Sequence, residues 1–139
     1  MSMRNYGVEN YGLVFNFSEL LDFIKKYYKG EDEEVFDYLE CEDTTELADM
    51  FGFDYYGEFE GSFRPLKDLS EFSKYFENDD MFIMYFEKQN SHTSILYDCY
   101  KNQDEIIDEI DNKLKENNII VDRQFIIDNI GFVSGSYFC

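Results

Sequence analysis

From Gly30 to Phe63 the chain contains no lysine or arginine, yet it carries Glu31, Asp32, Glu33, Glu34, Asp37, Glu40, Glu42, Asp43, Glu46, Asp49, Asp54, Glu58 and Glu60. These acids are interleaved with Val35, Phe36, Tyr38, Leu39, Leu47, Phe51, Phe53, Tyr55, Tyr56 and Phe59. An unpaired carboxylate is far too costly to bury. The stretch can therefore fold only as amphipathic elements, apolar side inward and acidic side in water, and the rest of the chain must act as the scaffold that holds this acidic surface in one shape.

The means for such a scaffold are present. A chain of 139 residues is most simply one domain, residues 1–139, long enough to bury a single core without staples. Its apolar content is 44% with a single proline, Pro65, so the high charge does not imply disorder. The formal net charge is −19, from 31 acidic and 12 basic residues. Solubility asks for a magnitude of only about 2–8 in a small domain, and self-repulsion beyond that destabilises the compact state. The excess has two explanations, an acidic or halophilic proteome or a basic partner. It excludes DNA, RNA and anionic membranes as direct partners. Cys41, Cys99 and Cys139 are odd in number and no signal peptide is recognisable, which implies free thiols in a reducing cytoplasm. No apolar run approaches a membrane span; the longest, Met81–Phe86, suits a buried strand.

In chain order, the Tyr-Gly pairs of Tyr6–Gly12 predict a turn-like opening and Leu13–Phe17 a strand. Ser18 is expected to cap a helix with Leu20, Leu21, Phe23, Ile24 and Tyr27 inward, Lys25, Lys26 and Lys29 near its end, and Gly30 as its stop. Asp32 caps a short helix through Glu40, with Val35, Phe36 and Leu39 inward and Glu33, Asp37 and Glu40 on the opposite face. Thr44 or Thr45 caps a third, with Leu47, Ala48 and Phe51 inward and Gly52 as its stop. Phe53–Phe63, cut by Gly57 and Gly61, reads as a bent or bulged strand pair closed by Pro65. Asp68–Phe76 reads as a helix, Asn78-Asp79-Asp80 as a turn, and Met81–Phe86 and Ser94–Tyr100 as strands joined by a polar loop. Asn102 with Glu105 has capping-box spacing at the head of a helix to about Glu116, which turns Ile106, Ile107, Ile110 and Leu114 inward. Asn117-Asn118 ends it. Ile119–Ile130 is ambiguous between strand and helix, with a short helix capped by Asp122 preferred, and Phe132–Phe138 is a last strand. The expectation is an α+β fold: a single compact domain, a mainly antiparallel sheet with several helices packed on it.

Like charges at i and i+4 on a helix repel, so the row Glu33–Asp37–Glu40 does not serve the helix. Carboxylates a few ångströms apart can stand in for phosphates before a basic groove. A merely solvated face is the plain alternative. The expected partner-binding residues are Glu31, Asp32, Glu33, Glu34, Asp37, Glu40, Glu42, Asp43, Glu46, Asp49, Tyr55, Glu58 and Glu60. Adjacent Tyr55 and Tyr56 would face opposite sides of a strand, leaving one among the acids. The helix from Asp104 has its own like-charge pairs, Asp104 with Asp108 and Glu105 with Glu109, read as solvated scaffold. Glu77, Asp79 and Asp80 form a third cluster, without the spacing of a calcium loop. Catalysis finds little support: His92 is the only histidine, nothing pairs it with Cys41 or Cys99, and no phosphate loop, zinc spacing or nucleophile elbow is present. No catalytic residue, metal site or cofactor is expected.

In size and in its acidic, aromatic-rich make-up, densest at Glu31–Glu60, the chain resembles the small inhibitors that bacteriophages and plasmids direct against host defence: anti-CRISPR proteins, antirestriction proteins and uracil-DNA glycosylase inhibitors. The resemblance is one of overall character and carries over no functional residue. It implies a non-enzymatic, anti-CRISPR-like nucleic-acid mimic in a bacterial host's cytoplasm. Its partner would be a basic nucleic-acid-binding protein, a CRISPR effector being one such. The alternatives are an immunity protein that neutralises a basic toxin nuclease and, third, a small divalent-metal-binding domain.

Overall fold

A computed structural model describes residues 5–68, 74–85 and 103–138. The element order is β1 (Asn5–Asn16), α1 (Phe17–Tyr27), α2 (Glu33–Glu40), α3 (Thr44–Phe51), β2 (Asp54–Pro65), β3 (Lys74–Tyr85), α4 (Gln103–Glu116), α5 (Arg123–Asn129) and β4 (Ile130–Phe138). The fold is α+β. All strand pairings are antiparallel, and the sheet closes on itself in the order β1-β3-β2-β4 into a small barrel, where the sequence suggested only a sheet.

Closure gives the sheet an inner face, and the outer faces of β1 and β3 are apolar as well. Val8 and Val14 of β1, Phe59 and Phe63 of β2, Phe76, Met81 and Ile83 of β3, and Val133 of β4 fill the barrel. The alternate residues Tyr11, Leu13 and Phe15 of β1, with Phe82 and Met84 of β3, face the helices in a second, larger core. Helix α1 contributes Leu20, Leu21, Phe23 and Ile24 to that core, and α4 contributes Ile106, Ile107, Ile110 and Leu114. Each such buried side chain is worth about 1.5–3 kcal/mol. A four-stranded barrel is narrow, and glycines set how closely its walls approach. Gly61 and Gly135 lie opposite each other across the β2–β4 seam. A Cβ on Gly135 would stand 2.6 Å from Gly61 Cα and 2.8 Å from the ring tip of Phe59.

Barrel closure also explains where the sequence reading fails. Tyr6–Gly12 is no turn; it belongs to β1, where Gly12 pairs with Tyr85 on one side and Gly131 on the other. Phe53–Phe63 is not a strand pair: Asp54–Pro65 is one bulged strand. Asn78-Asp79-Asp80 runs inside β3, as do Tyr75 and Phe76, so the end of Asp68–Phe76 is strand and not helix. In each case the tertiary pairing partner outweighs local turn or helix preference. The caps differ too. Asn16, not Ser18, caps α1: its side chain accepts from Glu19 N (2.8 Å), and Glu19 Oε1 accepts in return from Asn16 N (2.9 Å). The helix ends at Tyr27, before Lys29 and Gly30. Asp43, rather than Thr44 or Thr45, caps α3. Asp32, Gly52 and Asp122 stand as caps where expected, and Ile119–Ile130 does contain the short helix α5. The expected strand Ser94–Tyr100, its preceding loop with His92, and the cap Asn102 lie outside the described residues, as do Cys99, Cys139 and 69–73.

The acidic stretch is pinned where it begins. Tyr28 forms an isolated antiparallel bridge with Ile119; Lys29 N donates to Asn118 O (2.7 Å) and Ile120 N to Tyr27 O (3.2 Å). The link between α1 and α2 is thereby tied to the link between α4 and α5. At the other end β2 enters the barrel.

Candidate functional site

Helix α2 starts because Asp32 accepts from Glu34 N (2.9 Å), and Glu33 and Glu34 meet the positive end of its dipole. Val35 is its buried anchor. Phe36, expected inward, is instead 49% exposed, its ring edge-on to Tyr28 at 5.8 Å. With only eight residues, α2 rests on one turn's worth of core contact, and its apolar stripe is too wide to be covered. Glu33, Asp37 and Glu40 are exposed, and Glu40 ends a helix whose last turn holds no basic residue. Tyr38 donates its hydroxyl to Glu34 Oε1 (3.3 Å), and the Glu34 charge raises its pKa. The chain then turns through Glu42 at φ 57° into α3, where Asp43 accepts from Glu46 N (3.3 Å). Leu47, Ala48 and Phe51 are buried, whereas Glu46 and Asp49 are exposed.

In β2 the acids are placed by a double bulge. Between the pairs Tyr56↔Met81 and Phe59↔Asp79, Gly57 and Glu58 oppose Asp80 alone; between Phe59↔Asp79 and Gly61↔Phe76, Glu60 opposes Glu77 and Asn78. The two irregularities compensate, so Phe59, Met81 and Phe76 belong to the barrel core and Tyr56 packs against it. Glu58 and Asn78 take positive φ, 48° and 54°. For a non-glycine residue this conformation costs about 1–2 kcal/mol. Glu58 and Glu60 are both exposed.

Among the described residues no ion pair involves a carboxylate of Glu31–Glu60. The acids of α4 differ. Arg123 reaches Asp104 (3.1 Å) and Asp108 (2.6 Å), Lys113 reaches Glu109 (3.6 Å), and Lys115 reaches Asp111 (2.8 Å). The hydrogen bonds to Asp108 and Asp104 raise the pKa of Arg123 further. Arg123, Lys113 and Lys115 are thus paired with acids of α4, whereas among the described residues no ion pair reaches α2, α3 or the first half of β2.

Tyr55 and Tyr56 do face opposite ways. Tyr56 packs against Tyr137 at 4.7 Å beside the barrel core. Tyr55 is 46% exposed, stacks on buried Phe82 (5.0 Å, 25°), and donates its hydroxyl to Asp80 Oδ1 (2.8 Å). Partial burial, then the hydrogen bond and charge of Asp80, raise its pKa. Phe17 touches the same Phe82 (6.3 Å) and is 42% exposed. An open cleft of about 440 Å³ lies between α3 and β2, lined by Glu46, Asp49, Asp54 and Tyr55 among others; a second, of about 350 Å³, is lined by Phe17, Asn78, Asp79 and Asp80 with Asn16 and Ser18.

The expected acids are therefore solvent-facing, Asp43 only partly, with Asp32 and Asp43 also serving as caps. The sequence reading kept Asp79 and Asp80 apart from Tyr55 and missed Phe17 and Phe36. A phenylalanine at the first position of a helix, after a strong Asn-x-x-Glu cap, was the available signal for Phe17. Among the described residues no group of three or more His, Cys, Asp or Glu is arranged to hold a metal ion, and no helix is long and apolar enough to cross a membrane. No protein-family model, curated protein or solved structure matches this chain.

Proposed function

We propose that the protein is a non-enzymatic, anti-CRISPR-like inhibitor that acts in the cytoplasm of a bacterial host cell, occupying the basic nucleic-acid-binding groove of a host-defence effector. The observation that carries this reading is the asymmetry of ion pairing: the charges of Glu31–Glu60 have no counter-charge among the described residues, although Glu19, Asp104, Asp108, Glu109, Asp111 and Asp128 of the same chain are paired. Leaving such a surface unpaired forgoes stabilisation and adds repulsion, which a basic partner would convert into attraction and fast association. The strained backbone at Glu42 and Glu58 supports the same reading, because each holds a carboxylate where glycine would be more comfortable. A mimic of this kind competes with nucleic acid for one groove. The test is to capture partners from host lysate on the immobilised protein and to measure each partner's nucleic-acid affinity with and without the protein at saturation. The reading expects mutually exclusive binding that weakens steeply with salt. A partner that binds both at once, or only salt-independent partners, overturns it.

A further inference from the structure

Two half-open rings, Tyr55 and Phe17, flank the buried ring of Phe82, and each ring borders a cleft that also holds carboxylates: Asp49 and Asp54 beside Tyr55, Asp79 and Asp80 beside Phe17. The Tyr55 hydroxyl bound to Asp80 joins the two halves and fixes the Tyr55 ring. Carboxylates alone would attract any cation. An aromatic face beside a carboxylate distinguishes among cations, because a guanidinium can stack flat on the ring while its edge donates two parallel hydrogen bonds to the acid, whereas an ammonium meets the same site as a hydrated point charge.

The geometry points to this face, formed by β2, β3 and the start of α1, as a docking surface for arginine side chains of a basic protein partner, one guanidinium at Tyr55 and one at Phe17. The inference rests on the reading of this chain as a binder of basic proteins and adds to it the side-chain class and the place. Charge complementarity selects the occupant: the two clefts are lined by carboxylates, hydroxyls and aromatic rings among others, with no cation among the described residues lining them.

Peptides of nine arginines and of nine lysines carry equal charge and serve as probes. At equal ionic strength the arginine peptide is expected to bind the full chain about fourfold to twenty-fivefold more tightly, each of the two exposed rings contributing a factor of roughly two to five. Tyr55→Leu with Phe17→Leu keeps apolar area and removes both rings. It should bring the arginine peptide down to the lysine peptide's affinity and leave the latter unchanged. Tyr55→Phe, which keeps the ring, and Tyr75→Leu, which removes an exposed ring elsewhere on β3, should both retain the arginine preference. Should the double variant fold poorly, the parent alone decides: arginine side-chain protons stacked on a ring shift upfield in NMR spectra. Equal affinity for both peptides, or an arginine preference that survives loss of both rings, overturns the inference yet leaves the basic-partner reading standing. Failure of either peptide to bind at low salt removes that reading as well.

Discussion

Two triple neutralisations remove the same charge and should change stability in opposite directions. The first replaces Glu33, Asp37 and Glu40 by Gln, Asn and Gln; the second replaces Asp104, Asp108 and Glu109 by Asn, Asn and Gln. Each takes the formal charge from −19 to −16. On α2 the three acids repel one another. Two unit charges about 6 Å apart in water repel by about 0.7 kcal/mol, and screening at about 0.15 M ionic strength roughly halves that. The pairs Glu33–Asp37 and Asp37–Glu40 together then cost about 0.7 kcal/mol. Glu33 forfeits a favourable dipole interaction of about 0.3–1 kcal/mol, and Glu40 relieves an unfavourable one of similar size, so these cancel. The first variant should gain about 0.5–1 kcal/mol, or roughly 2–4 °C in Tm. On α4 the acids are partnered: Arg123 loses both carboxylates, Lys113 loses Glu109, and Asp104 leaves the first turn of the helix. The Glu109–Lys113 pair alone is worth about 0.3–0.5 kcal/mol, so the second variant should melt below the parent. Thermal unfolding followed by circular dichroism at about 0.02 M and about 1 M salt, where the Debye length is about 3 Å, separates the causes. The gain on α2 should vanish at high salt, and salt should stabilise the parent itself. If both variants shift Tm in the same direction at low salt, the account of paired and unpaired acids is wrong. A partner should also lose more association rate with the α2 variant than with the α4 variant.

Gly135→Ala should destabilise the fold by about 2–3 kcal/mol or more, since the added methyl meets the Gly61 backbone and the Phe59 ring and neither can retreat inside a closed barrel; Gly7→Ala, whose Cβ would meet nothing within 4 Å, should be neutral in the same urea titration. Alkaline titration supplies another check. The pKa values of Tyr55 and Tyr56 are raised, mainly by burial, so their contribution to stability is complete below the unfolded tyrosine value of about 10 and is lost as pH rises through the folded values. Tyr55→Phe should therefore lose less stability between about pH 9 and 11 than the parent does. A parent whose stability is flat across that range would contradict this assignment.

What the sequence determined by itself was local. Apolar spacing placed α1 and α4 and named their inward faces, because a helix repeats every 3.6 residues whatever it packs against, whereas α5 was left ambiguous with a strand and favoured only by its cap Asp122. Asp32 and Gly52 were legible as caps because the chemistry of a helix end is settled within four residues. The acidic character of Glu31–Glu60 was equally plain, since carboxylates of that density cannot be buried. The tertiary structure decided everything that depends on residues far apart in the chain. Barrel closure turned two apparent turns into strand interior, for the pairing of Gly12 with Gly131 and of Phe59 with Asp79 has no local signature. The same closure brought Tyr55 to Asp80 across 25 residues and set both Tyr55 and Phe17 against Phe82. Which acids would be paired was decided in the same way, since Arg123 reaches back 15 and 19 residues to α4 while among the described residues no cation pairs with an acid of α2. Charge is written in composition, whereas its neutralisation depends on distance, and distance exists only after folding.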